Sequence, residues 1–147
     1  MKFYFAYGSN LWRNQMKDRC PDHRVIGNGV LKGYRWIIST QGYANIVKSK
    51  RDEVHGVIYE ISESDERSLD RFEGVHSGSY RKEMMMVEVD GQSQECLVYV
   101  DPVDGEGNPK EEYIERINKG ISDSKLSQKY IDYYIRKFIP AQHKYDK

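Results

Sequence analysis

Two short segments carry the residues best suited to chemistry. Phe5-Ala6-Tyr7-Gly8-Ser9-Asn10-Leu11 reads as the end of a strand running into a tight loop that opens a helix. Such a loop presents unpaired backbone N–H groups, and the positive end of a helix dipole, to an anion above it. Gly8 matters there because a side chain would block ligand approach or forbid a positive φ. Far downstream, Leu69-Asp70-Arg71-Phe72-Glu73-Gly74-Val75-His76-Ser77-Gly78-Ser79-Tyr80 reads as a helix end followed by a loop with two glycines. Its carboxylate, Glu73, faces the negative pole of the helix dipole, a placement that costs the ionised form about 0.3–1 kcal/mol. That raises its proton affinity toward the range useful for acid–base work. An anion cradle and one carboxylate suffice for acid–base chemistry on an acyl group. The same residues would also serve as an ordinary N-cap and a solvated helix-end charge, and the pattern alone leaves both readings open.

Other candidates carry less. Gly27-x-Gly29-x-x-x-Gly33 misses the dinucleotide-binding spacing by one residue and opens no helix, so it reads as strand punctuation. His23, His55, His76 and His143 are scattered and Cys20-x-x-His23 stands alone, so no metal site is expected. Asp101, Asp104 and Glu106 lack EF-hand spacing. No Ser-His-Asp set suggests itself, although a nucleophilic role for Ser9 stays open.

The elements that must position Glu73 and the first loop follow from pattern. Lys2 to Tyr7 reads as an aromatic-rich strand, and Asn10 to Met16 as a short helix capped by Ser9 or Asn10. Strand-like pieces recur at Val30-Leu31, at 34–38, at 44–47 and, most clearly, at 54–61. Ser62 and Asp65 open a helix that carries Leu69 and Phe72 and ends with Gly74 as C′ residue. Tyr80 to Asp90 and Gln94 to Asp101 pair as a hairpin through Asp90-Gly91, with Met85, Val87 and Val89 alternating onto one face. Asn108-Pro109 reads as a helix start, with a stop at Gly120; a last helix spans Ser127 to Phe138. Without regular βαβα alternation, this is an α+β chain with a mostly antiparallel sheet, able to curl into a barrel. One domain over 1–140 and a polar tail over 141–147 are expected.

Composition narrows the partners. The chain has 147 residues, 23 Lys plus Arg against 23 Asp plus Glu, and 12 tyrosines. Zero formal charge without a basic patch argues against nucleic acid. No segment nears the ~20 apolar residues of a membrane span, and two cysteines without C-x-x-C spacing suit a reducing, cytoplasmic setting. The apolar residues Ile131, Tyr134, Ile135 and Phe138 of the last helix would pack internally or across a dimer, internal packing being the preferred reading; monomer and homodimer both stay open.

Taken together, the first loop and Leu69-Asp70-x-x-Glu73-Gly74-Val75-x-Ser77-Gly78-x-Tyr80 resemble the γ-glutamylcyclotransferase family, within its AIG2-like superfamily. Asp52-Glu53-Val54-x-Gly56-Val57 resembles the family's segment before the catalytic helix, and Tyr113 and Tyr130 fall where the family has tyrosines. The resemblance implies a small mixed, mostly antiparallel β-barrel flanked by helices. It implies release of an amino acid or amine from a small-molecule γ-glutamyl substrate, leaving 5-oxoproline, with no cofactor or metal. Glu73 takes the acid–base role by this match; Tyr7, Gly8, Ser9, Asn10 and Leu11 form the substrate loop, with Tyr80, Tyr99 and Tyr113 as further pocket residues. The chain departs from the animal enzymes by a shorter stretch between Gly33 and Arg51 and by Ile121-Ser122-Asp123-Ser124-Lys125-Leu126. Both departures bear on the leaving group. A non-catalytic γ-glutamyl-binding module, and a cyclotransferase for γ-glutamylamines or a γ-glutamylated biosynthetic intermediate, remain alternatives.

Overall fold

A computed structural model describes residues 1–141, so the expected tail lies outside the described residues except for Ala141. Five strands, β1 (Lys2–Ala6), β2 (Arg24–Ile38), β3 (Ala44–Ile61), β4 (Arg81–Val89) and β5 (Gln92–Val100), close a barrel in the order β1-β3-β2-β4-β5. β1 runs parallel to β5, through Tyr4 and Leu97, and the other neighbours are antiparallel. Around it lie α1 (Arg13–Arg19), α2 (Glu63–Phe72), α3 (Glu111–Ser124) and α4 (Gln128–Tyr133). This is the expected mixed, mostly antiparallel barrel flanked by helices.

The strands are longer than the pattern suggests. The fragments read between residues 25 and 61 join into a ribbon of 15 and 18 residues, paired past register shifts at Val25/Gly27 and Lys32/Tyr34. Gly33 adopts φ +88° at the second shift, so the glycine that reads as punctuation is a bulge that bends the ribbon without ending it. The β4–β5 hairpin turns at Asp90 (φ 50°) and Gly91 (φ 77°), the left-handed pair a two-residue turn demands.

Four helix boundaries move, each for a tertiary reason. The first helix splits into a single 3-10 turn, Ser9–Leu11, and α1, because the Asn10 carbonyl is taken by the Tyr59 hydroxyl at 2.9 Å instead of continuing a helical ladder. α3 starts at Glu111, not at Asn108-Pro109. The preceding chain is docked on the β2–β3 turn, where Gly107 N–H donates to Ile38 O at 2.8 Å and Lys110 N–H to Gly42 O at 3.2 Å. α3 also continues through Gly120, whose missing Cβ lets Leu11 and Trp12 approach; a Cβ there would stand 2.8 Å from Leu11 Cβ. The last helix stops at Tyr133 and gives way to a 3-10 turn, Ile135–Lys137, with Ile131 and Ile135 buried against the barrel.

Candidate active site

Local sequence places Glu73 with little freedom. Ser62 and Asp65 cap α2 reciprocally: Asp65 N–H donates to Ser62 Oγ at 3.0 Å and Ser62 N–H to Asp65 Oδ2 at 3.2 Å. At the other end Gly74 adopts φ +67°, Gly74 N–H reaches Arg71 O at 3.2 Å and Val75 N–H reaches Asp70 O at 3.0 Å. This is a Schellman closure, and it makes Glu73 the C-cap residue. α2 begins beside the start of β1, where Lys2 Nζ lies 3.1 Å from Glu66. A ten-residue helix climbs about 15 Å and a five-residue strand about 17 Å, so α2 delivers Glu73 level with the loop that follows β1.

That loop is tied down through its carbonyls. Tyr7 O accepts from Trp36 Nε1 at 2.8 Å, Gly8 O from Leu11 N–H at 3.1 Å and Ser9 O from Trp12 N–H at 3.0 Å. A trans peptide points its N–H opposite to its C=O, so the N–H groups of Gly8, Ser9 and Asn10 turn away from these partners. The turn is three residues long, which leaves no macrodipole of consequence; any anion binding rests on these donors. Gly8 has φ −121°, so the expected need for a positive φ does not apply. Its role is close approach: a Cβ would stand 3.0 Å from both Ala44 Cβ and the Tyr113 hydroxyl.

Tyrosines build the rest of the frame. Tyr80 OH donates to Ala44 O at 2.7 Å and Tyr113 OH accepts from Ala44 N–H at 3.2 Å, clipping Ala44 at both ends. Tyr7 OH donates to Tyr99 O at 2.6 Å, and Tyr99 OH to Asp70 Oδ1 at 2.7 Å, one turn before Glu73. Together with Tyr4, these residues and the loop enclose an inner chamber of about 40 Å³. It shares Ser9, Glu73, Tyr80 and Tyr113 with a vestibule of about 450 Å³, a size suited to a small ligand.

The electrostatics single out one group. Burial pushes the Glu73 carboxyl from 4.5 up to about 7, with the Arg19 guanidinium pulling the other way from 3.9 Å. The helix-end dipole read from sequence is therefore not the main cause; desolvation is. Its side chain keeps 18% exposure through the vestibule, so protons and ligand can reach it. Burial also pushes Tyr113 up to about 12 and raises Tyr4, Tyr7, Tyr80 and Tyr99. The phenols stay neutral at physiological pH, and Glu73 is the acid of the chamber able to exchange a proton there.

The expected site residues mostly converge. Tyr7, Gly8, Ser9, Asn10, Glu73, Tyr80, Tyr99 and Tyr113 all line the chamber. Leu11 does not: it is 1% exposed and packs on Gly120 of α3. Asn10 is occupied with the frame, donating to Tyr4 OH at 2.9 Å and accepting from Gln15 at 2.9 Å. Tyr4, Ala44 and Arg19 belong to the site but escape the sequence reading, because no local pattern separates a pocket-lining tyrosine or alanine from a core one. Tyr130 lies elsewhere, stacked on His55 at 4.3 Å. Among the described residues no three His, Cys, Asp or Glu side chains gather as a metal site, and no helix is long and apolar enough to cross a membrane. His143 lies outside the described residues.

Comparison with known proteins identifies the family and relatives of this chain. Residues 4–118 match the family model described as "Gamma-glutamyl cyclotransferase, AIG2-like". The chain is 29% identical over 138 residues to human gamma-glutamylcyclotransferase, covering 86% of this chain and 73% of the relative. It is 33% identical over 145 residues to the mouse protein of the same name, with the same coverages of 86% and 73%. A solved structure of a gamma-glutamyl cyclotransferase superposes with a TM-score of 0.84 at 28% identity, covering 96% of this chain and 89% of that one.

Proposed function

This chain belongs to the gamma-glutamyl cyclotransferase, AIG2-like family, and on that premise we propose that it cyclises the γ-glutamyl group of a small-molecule substrate, releasing 5-oxoproline and an amine. The observation that carries this reading is the placement of one carboxyl, titrating at about 7, in a chamber walled by the loop of Gly8, Ser9 and Asn10.

The substrate's α-carboxylate is held by the loop N–H groups, which fixes the glutamyl chain in a folded-back conformation. Ionised Glu73 takes a proton from the α-ammonium, and the freed nitrogen attacks the γ-carbonyl to form a C–N bond and close a five-membered ring. The tetrahedral oxyanion collapses, the original amide C–N bond breaks as Glu73 returns its proton to the departing nitrogen, and the ring nitrogen passes its second proton to the released amine, which leaves as an ammonium. One carboxyl serves both transfers because it is regenerated in the ionised form at the end. Its share is ~10²–10⁴-fold in rate, and donors facing the oxyanion add ~10²–10³-fold. Both reacting groups belong to one molecule, so freezing their geometry supplies much of the remainder. These proton transfers and the ring closure call for no cofactor or metal.

Incubating the purified protein with a panel of γ-glutamyl amino acids and γ-glutamylamines and assaying 5-oxoproline tests the reading. Product from at least one member is expected. Calorimetric binding of a γ-glutamyl ligand without product would make the chain a binding module instead.

A further inference from the structure

Of the exposed large apolar side chains among the described residues, Phe72 (58% exposed) and Val103 (51% exposed) are the two that share one cleft. They come from different elements, the last turn of α2 and the loop after β5, and both line the vestibule that leads to Glu73. Phe72 has the Arg19 guanidinium over its ring at 4.4 Å from the centroid. Two wet apolar groups on the wall of one cleft favour an apolar ligand group between them.

The charges on the same wall give this cleft a direction. Arg116, three residues along α3 from Tyr113, lines the vestibule. Its partner is Glu112, an (i, i+4) neighbour with a side chain 55% exposed, at 2.9 Å. Such surface pairs are weak and exchange readily. The acids on the wall are already engaged: Asp101 is 5% exposed with Oδ1 accepting from Val103 N–H at 2.9 Å, and Glu73 faces Arg19. Apart from Glu73, which the cyclisation itself uses, the described residues that line the vestibule thus offer an exchangeable cation to an anion and no unengaged carboxylate to a cation.

We propose that the vestibule is a leaving-group subsite for an α-amino acid with a large apolar side chain, which packs between Phe72 and Val103 while its carboxylate meets Arg116. The substrates are then γ-glutamyl dipeptides of leucine or phenylalanine type, not γ-glutamylamines. This rests on the cyclisation reading above and adds to it the chemistry of the group released.

The test compares kcat/KM for 5-oxoproline formation from γ-glutamyl-leucine, γ-glutamyl-alanine, γ-glutamyl-leucinamide and γ-glutamyl-putrescine. Wild type is expected to favour leucine over alanine by about tenfold or more, the scale of a single methylene in an apolar pocket. It is expected to favour leucine over the amide and putrescine by about tenfold or more, the scale of a charge-assisted contact. Phe72→Ser combined with Val103→Ser should collapse the leucine-to-alanine ratio toward one, and Arg116→Gln the leucine-to-leucinamide ratio. Each ratio is taken within one variant, so a partly unfolded preparation does not mimic the effect. Equal use of all four substrates, or ratios unmoved by these substitutions, overturns the subsite and leaves the cyclisation standing. No product from any of the four overturns both.

Discussion

Arg19 Nη1 stands 3.9 Å from Glu73 Oε2, inside the range of an ion pair and outside that of a hydrogen bond. The same guanidinium reaches Asn10 Oδ1 at 3.3 Å, so it spans from the loop side of the chamber to the acid. Its charge moderates what burial does to the carboxyl without locking it. A tight, well-aligned pair would hold Glu73 ionised and unable to keep the proton it must carry; no cation at all would leave it protonated.

Glu73→Gln should lower turnover by ~10²–10⁴-fold while γ-glutamyl ligands still bind, because the amide keeps the volume and loses only the proton exchange. Steady-state kinetics together with calorimetry on a γ-glutamyl ligand check this. Turnover within a few-fold of wild type, with folding intact, would remove Glu73 from the reaction.

The acid limb of kcat/KM should report Glu73 near pH 7, activity rising as the carboxyl ionises. The other titratable groups of the chamber, Tyr4, Tyr7, Tyr80, Tyr99 and Tyr113, are all raised above the ordinary tyrosine value and stay silent in this range. Arg19→Gln removes the charge that holds the carboxyl down, so the limb should move to higher pH. A limb that stays in place in this variant would show that Arg19 does not tune the acid.

Stability should fall as pH rises through Glu73. Its carboxyl goes from 4.5 to about 7 on folding, so between those values the folded chain keeps a proton that the unfolded chain has lost. Above that window the cost is complete, about 1–3 kcal/mol after allowance for its partial exposure. Glu73→Gln should therefore raise Tm by several degrees at pH 8 and leave it nearly unchanged at pH 4, as read by calorimetry. The opposite pH trend would mean the carboxyl is stabilised in its charged form.

Gly8→Ala tests close approach at the loop. The added Cβ meets Ala44 Cβ and the Tyr113 hydroxyl at 3.0 Å. Displacement of the loop or of Tyr113 by even part of an ångström is expected to cost up to ~10²-fold in kcat/KM, with Tm little changed. Wild-type kinetics in this variant would show that the loop tolerates the shift.

Gly56→Ala tests the barrel itself. A Cβ at this position of β3 would stand 2.2 Å from the backbone oxygen of Ala6, in the pairing that carries β1 to the site. Backbone cannot move aside as a side chain can, so a loss of about 3 kcal/mol or more is expected. Urea unfolding measures it, and a loss under about 1 kcal/mol would contradict the packing described.

The sequence alone determined the local devices: the Ser62–Asp65 cap, the Gly74 closure that makes Glu73 a C-cap residue, the Asp90-Gly91 hairpin and the alternation of β4, whereas β5 is buried on both faces from Cys96 to Val100. Each is written within a few neighbouring residues, where steric and hydrogen-bonding rules act directly. Tertiary structure alone decided that β2 and β3 run on through Gly33, that α3 passes Gly120, and that Leu11 is core while Tyr4 and Ala44 are pocket. It also assigned the raised Glu73 carboxyl to desolvation instead of the helix dipole, and brought Arg19 beside it. These depend on what lies across the barrel, and a residue's burial and its charged neighbours are sums over distant segments that no local spacing records.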